Sequence, residues 1–232
     1  MINLISKFIC IDTETCNSLI DENEKLDLSQ SLVYDVGWTV FDKKNTVYKT
    51  RSYVVAEIFL DSVLMDSAYY KDKIPQYWED IKNGTRQLKS FKNIRLQYLR
   101  DLKFYKIKAT MAHNAYFDYN ALNTTLRYLT NSRYRYWFPY KNELWDTLKM
   151  SRDVLRDKKA YTEYCDKHGY KTKHKIPQNR YTAEILNRFI KGDENFIESH
   201  TGLEDTLIEK DIFLYCLKQK KGMRKKLFSR AC

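Results

Sequence analysis

Three short segments carry carboxylates in company that suggests chemistry. The first is Asp12-Thr13-Glu14, directly after the apolar run Phe8-Ile9-Cys10-Ile11. On a strand, side chains two apart share a face, so Asp12 and Glu14 point the same way. Two like charges side by side repel unless a cation lies between them. The same acids would equally mark the start of a loop. The second segment is Ala112-His113-Asn114-Ala115-Tyr116-Phe117-Asp118. With Asn114 as N-cap, Asp118 falls in the first helical turn, where the macrodipole favours an acid even without a function. The third is His200-Thr201-Gly202-Leu203-Glu204-Asp205. Thr201 and Glu204 fit a capping box, which puts His200 just before the cap and Asp205 at the fourth helical position. Those two positions ordinarily meet as an apolar staple. An imidazole and a carboxylate there suit a site that handles water and metal.

The elements that must position these acids follow from the apolar pattern. Phe8–Ile11 reads as a buried strand ended by acids. Residues 31–42 and 47–55 read as a hairpin across Lys43-Lys44-Asn45. Residues 60–105 are helical in pattern and broken near Pro75 and Gly84. A strand over 107–112 precedes a helix over 115–129, and residues 144–150 form a strand running into another helix. Helices around 180–191 and 202–220 complete the chain. Strands first, then strand–helix alternation, predict an α/β fold with a mixed sheet flanked by helices.

Composition narrows the class. At 232 residues, with 43% hydrophobic and 31% charged, the chain suits one domain and excludes wholesale disorder or a membrane bundle. Only 6 glycines and 3 prolines argue against repetitive or turn-rich β structure. The 41 Lys and Arg against 30 Asp and Glu give +11, a charge that concentrates polyanions. Nineteen tyrosines offer rings on which bases stack. Five cysteines, without a C-x-x-C pair, argue against a disulfide framework or a Cys-rich zinc site. No apolar stretch approaches the length of a membrane span. A core over about 5–218 and a solvated basic tail over about 219–232 are expected, in a reducing cytoplasm. The tail's cations are Lys218, Lys220, Lys221, Arg224, Lys225, Lys226 and Arg230.

Taken together, D-x-E after the first strand, H-N-x-x-F-D in the middle and H-x-x-x-x-D near the end form one ordered pattern. It resembles the DEDDh branch of the DnaQ-like 3′-to-5′ exonuclease superfamily, over about residues 8–218. Val33-Tyr34-Asp35-Val36-Gly37-Trp38 and Trp145-Asp146-Thr147-Leu148 agree with that look. The tyrosine branch wants Tyr where this chain has Thr201. Thr15-Cys16-Asn17 departs from the common Thr-Thr-Gly.

The resemblance implies a ribonuclease H-like fold, in which Asp12, Glu14, Asp118 and Asp205 hold two divalent cations and His200 is the general base. Oxygen ligands of this kind select Mg²⁺ or Mn²⁺ over zinc. Thr13, Thr15, His113, Asn114 and Phe117 would contact substrate. The implied partner is a nucleic acid with a free 3′ end, single-stranded DNA first, cut to nucleoside 5′-monophosphates. RNA trimming is the alternative, and a silent nucleic-acid-binding module is the reading from another class. A homodimer is compatible with the family. The Lys-, Asn- and Tyr-rich composition fits a bacterial or phage genome rich in AT. Asp146 reads as structural, and Asp211 as solvated or paired with a lysine. The aromatic run Arg133–Tyr140 is either a packed sheet-edge cluster or a stacking platform.

Overall fold

The computed structural model describes residues 6–17, 19–20, 26–219 and 222–228. Its strands are β1 (Lys7–Cys16), β2 (Leu19–Ile20), β3 (Leu26–Asp27), β4 (Leu32–Asp42), β5 (Val47–Val55), β6 (Gln87–Lys89), β7 (Ile107–Ala112) and β8 (Glu143–Asp146). Its helices are α1 (Ala56–Phe59), α2 (Ser62–Met65), α3 (Ile74–Lys82), α4 (Phe91–Phe104), α5 (Tyr116–Thr130), α6 (Thr147–Leu155), α7 (Lys159–His168), α8 (Ala183–Lys191) and α9 (Gly202–Lys218). Six strands form one mixed sheet in the order β6-β5-β4-β1-β7-β8, with β1 antiparallel to β4 and parallel to β7. The expected mixed α/β sheet is what the chain builds. Among the described residues, no helix is long and apolar enough to cross a membrane.

Strand β1 explains how the layers form. Its side chains alternate faces, and both faces are covered. Ile9 and Ile11 enter a core with Trp38, Tyr98 and residues of α4 and α5. Phe8 and Cys10 enter the opposite core, with Met111 and residues of α6, α8 and α9. Asp12 has the parity of Phe8 and Cys10, which aims it towards the α9 side. Thr13 has the parity of Ile11, towards α5. The strand therefore delivers its polar end to the seam between the two helical layers.

Several expectations are corrected. The first strand does not stop at the acids; β1 runs through Asp12, Thr13 and Glu14 to Cys16, slipping register between Glu14 and Thr15. Asn114 is not the N-cap of α5. It adopts a left-handed conformation (φ 63°), and Ala115 holds the cap position. This turn, where Asn is among the few side chains tolerated, lets the chain leave β7 and enter α5 within three residues. A helix boundary does fall near Pro75, which sits in the first turn of α3, where its missing N–H is harmless. The three-residue strand β6 interrupts a segment expected to be helical, and helix α7 lies where no element was expected.

The basic tail is not simply frayed. The Asp146 N–H donates to the Lys225 carbonyl (2.7 Å), and the Leu227 N–H donates to the Leu144 carbonyl (2.8 Å). Residues 225–227 thus cover the open edge of β8, a common protection of exposed strands. Arg224 pairs with Asp153 and Lys226 with Glu143. Lys220, Lys221, Arg230 and Cys232 lie outside the described residues.

Helix α9 is seated by two facing glycines. A Cβ on Gly37 would lie 2.2 Å from the Gly202 carbonyl carbon and the Leu203 nitrogen. A Cβ on Gly202 would lie 2.8 Å from the Gly37 nitrogen. Backbone thus meets backbone beside Asp12. Gly37→Ala should therefore lift the start of α9, at an overpacking cost of about 1–3 kcal/mol. For a domain of this size that is roughly 2–4 °C of melting temperature per kcal/mol. A differential scanning trace identical to wild type would contradict this seating.

Candidate active site

The site gathers at the end of β1, between the first turns of α9 and α5. Carboxylate oxygens of Asp12, Glu14 and Asp205 lie within 4.8 Å of one another. Asp118 approaches from α5 and accepts a hydrogen bond from the Thr13 hydroxyl (2.9 Å). Asp205 accepts from the Ser199 hydroxyl and from the Thr201 N–H, both at 3.1 Å. The capping box is thereby rearranged. Thr201 caps α9 by position, but its hydroxyl donates to the Glu204 carboxylate (2.7 Å) instead of accepting from the helix.

A cavity of about 360 Å³ opens over these acids, lined by Asp12, Thr13, Glu14, Thr15, Tyr69, Tyr70, Phe117, Glu198, His200 and Asp205. That is a volume suited to a small ligand. Of the residues named as substrate contacts, Thr13, Thr15 and Phe117 line it. His113 and Asn114 stand outside the lining. The His113 ring donates from Nε2 to the Tyr181 carbonyl (2.7 Å), with Nδ1 3.0 Å from the Thr147 hydroxyl. Burial holds the His113 ring neutral by lowering its pKa. The Asn114 N–H donates to Asp146 (3.2 Å), which also caps α6 through Leu148 N–H (2.9 Å). Asp211 pairs with Lys191 and Lys210, away from the cavity lining.

His200 is in a left-handed conformation (φ 50°), and its ring stacks on Tyr70 at 4.5 Å between centroids. Burial, and then the nearby Lys73, lower its pKa below the ordinary imidazole value. Lys73 is fixed by a hydrogen bond to the Ser199 carbonyl. The imidazole is therefore neutral and able to accept a proton at pH 7. One nitrogen of His200 also lies within 4.8 Å of Glu184 and Glu198 oxygens.

The electrostatics of the acids are unfavourable without a cation. Burial raises the pKa of Asp12, and the charges of Glu209, Asp118, Glu14 and Asp205 raise it further. Glu14 is raised by burial and then by Asp35 and Asp205. Asp118 and Asp205 are each pushed up to about 7, chiefly by burial. Burial also carries Glu198 up to about 8. Hard oxygen donors converging at this spacing, each penalised for its charge, fit a divalent cation of the Mg²⁺ or Mn²⁺ type.

Sequence reasoning assigned no role to several supports. Glu209, one helical turn after Asp205, accepts from the Cys10 thiol (3.1 Å) and the His113 N–H (2.9 Å). Its spacing of four from Asp205 was the available signal. Asp35 accepts from the Gly202 N–H (2.8 Å) and the Tyr77 hydroxyl (2.6 Å). Arg86, 3% exposed, spans Asp35, Asp80, Ser52 and Glu204, and so ties β4, β5 and α3 to α9. Tyr70, Lys73, Tyr77 and Arg86 all come from the 60–105 segment, whose sequence carried no motif.

This architecture is that of known nucleases. The fold matches a full-length 3′-exonuclease with a TM-score of 0.61 at 11% identity, covering 98% of this chain and 89% of that one. It matches the nuclease domain of 3′hExo, a DEDDh family member bound to rAMP, at 0.56 and 11% identity, covering 98% and 99%. Cell-death related nuclease 4 matches at 0.53 and 10% identity, covering 96% and 67%. No protein-family model and no curated protein matches by sequence. The chain shares the fold of these nucleases.

Proposed function

We propose that the protein is a divalent-metal-dependent 3′-to-5′ exonuclease acting on single-stranded nucleic acid, with DNA as the first substrate. The observation that carries this reading is the cluster of Asp12, Glu14 and Asp205 oxygens, within 4.8 Å, opening into a cavity shared with His200. Asp12, Glu14, Asp118 and Asp205 would hold two cations. Such ions supply an activated water and offset the charge that develops on the phosphate.

The chain's own residues do the rest. Phe117, Thr13 and Thr15 border the space for the terminal nucleotide. His200 takes the water proton on an imidazole nitrogen, and the Tyr70 stack fixes its ring plane. Its lowered pKa keeps the base form dominant at neutral pH, at the expense of some basicity. Glu209, Asp35 and Arg86 hold α9, and with it Asp205, against the sheet.

A 5′-labelled single-stranded oligonucleotide tests the reading. With Mg²⁺ or Mn²⁺ it should give a ladder of shortening products, abolished by EDTA. No EDTA-sensitive cleavage of DNA or RNA would overturn the proposal. Faster loss of an all-RNA strand would move the substrate to RNA. In the same assay His200→Ala should lose roughly 10²–10⁴ in rate. The wild-type rate should rise with pH through a pKa below about 6.5, the ordinary imidazole value, and then level off. That limb should vanish in the variant; a variant retaining both limb and rate would remove His200 from the mechanism.

A further inference from the structure

The Arg133–Tyr140 run divides into an anchor and a display. Trp137 and Phe138 are 0% and 8% exposed, whereas Tyr134, Tyr136 and Tyr140 are 90%, 50% and 95% exposed. The anchor is firmly held. The Trp137 N–H donates to the Asn123 side-chain carbonyl (2.7 Å), and Arg95 donates to the carbonyls of Trp137 (2.9 Å) and Tyr136 (3.0 Å). The displayed half alternates cation and ring: Arg133, Tyr134, Arg135, Tyr136. Tyr134 and Tyr136 thus present their rings to solvent from a rigid mount.

The display is also linked to the catalytic cavity through a chain of neighbouring residues. Thr15 lines that cavity, and Asn17 lines a second one of about 330 Å³ with Gln30, Arg127 and Tyr128. Residues 15–17 are tied to 67–69, since the Asn17 N–H donates to Ser67 (2.9 Å) and the Tyr69 N–H to the Thr15 carbonyl (3.5 Å). Arg127 then lies over the Tyr136 ring (4.9 Å) and donates to the Arg135 carbonyl (3.3 Å). Arg135 and Tyr136 in turn border a third hollow of about 630 Å³ with Lys92 and Arg95. Three cations line that hollow against one carboxylate, Glu57, which already accepts from the Phe91 N–H (2.9 Å). An excess of fixed cations beside exposed rings matches a flexible polyanion with stackable faces.

We propose that Arg127, Tyr134, Arg135 and Tyr136 form a platform that binds the single-stranded nucleic acid upstream of the terminal nucleotide held in the catalytic cavity. The arginines engage phosphates and the tyrosines stack bases, so the platform tolerates any sequence. It rests on the exonuclease reading for which end enters the cavity, but not for its chemistry.

The test is equilibrium binding of fluorescein-labelled oligonucleotides of 3 and 15 nucleotides in EDTA, with cleavage measured separately in Mn²⁺. Wild type should bind the 15-mer more tightly than the 3-mer. Tyr134→Ala and Tyr136→Ala should each weaken 15-mer binding roughly 10-fold, the order expected for one stacked base. Arg135→Ala should also flatten the salt dependence of 15-mer affinity. Tyr134 is exposed, so Tyr134→Ala keeps the test valid if another variant fails to fold. A 15-mer that binds no better than the 3-mer, or a 15-mer affinity unmoved by Tyr134→Ala, Tyr136→Ala and Arg135→Ala, would overturn the platform even if cleavage proceeds. That result would assign the surface to a protein partner instead. Length-dependent binding lost in these variants, with no cleavage in Mn²⁺, would overturn the exonuclease reading and leave the platform standing.

Discussion

Asp12→Asn should lose at least roughly 10³-fold in metal-dependent hydrolysis, yet melt at a higher temperature than wild type in EDTA at pH 8. Both effects come from one cause. Asp12 is a partly buried carboxylate whose charge is opposed by Glu209, Asp118, Glu14 and Asp205. Neutralising it relieves repulsion in the metal-free protein and removes a ligand from the metal-bound one. A site that gives up about 4 kcal/mol of transition-state stabilisation slows roughly 10³-fold. Asp205→Asn should lose comparable activity but gain less stability, because its two carboxylate oxygens accept from Ser199 and Thr201. Asp211→Asn, which breaks pairs with Lys191 and Lys210, should leave the rate near wild type. Activity assays and melting curves on the same preparations check all three. A destabilised Asp12→Asn with full activity would contradict the assignment.

The second large effect is on stability against pH. Asp118 and Asp205 each have a pKa pushed from 3.8 up to about 7 by burial. Between those values the folded state holds protons that the unfolded state has released, so stability falls as pH rises. His200 and His113 act in the opposite sense, since their lowered values make the folded state release protons first. That opposition ends near pH 6.5, where the unfolded histidines are also neutral. The net fall in EDTA should therefore begin near pH 5, be partly offset by the histidines up to about pH 6.5, and continue towards pH 8, where Glu198 titrates at about 8. From pH 5 to 7, Asp118 alone should contribute a loss of roughly 2 kcal/mol, at about 1.4 kcal/mol per tenfold displacement and with the group half ionised by pH 7. That is on the order of 4–8 °C in melting temperature. Saturating Mn²⁺ should reverse the trend, because binding requires the ionised ligands. A melting temperature that rises from pH 6.5 to 8 in EDTA, or ignores Mn²⁺, would be the contrary result.

The clustered acids were legible because their signals are local. Asp12 and Glu14 follow an apolar run whose alternation fixes their shared face. Thr201 and Glu204 mark the start of α9, and Asp205 follows from that count. The H-N-x-x-F-D segment was found, but its turn was misassigned. A left-handed Asn and an N-cap Asn are the same letter, and the choice depends on Asp146 receiving the Asn114 N–H from another strand. The supports were illegible for a related reason. Arg86 meets Glu204 across 118 residues and Asp35 across 51, so no window of sequence contains the pairings. Strand β6 is three residues of edge, too short to show a period. The aromatic run offered two readings, a packed cluster and a stacking platform; Trp137 and Phe138 pack, while Tyr134 and Tyr136 are exposed.

Crystals soaked in Mn²⁺ and measured at the manganese absorption edge test the central claim most directly. The account predicts anomalous density bounded by Asp12, Glu14 and Asp205, with Asp118 beside it, and loss of that density in Asp12→Asn. Density confined to Glu184, Glu198 and His200, or none at millimolar Mn²⁺, would contradict it.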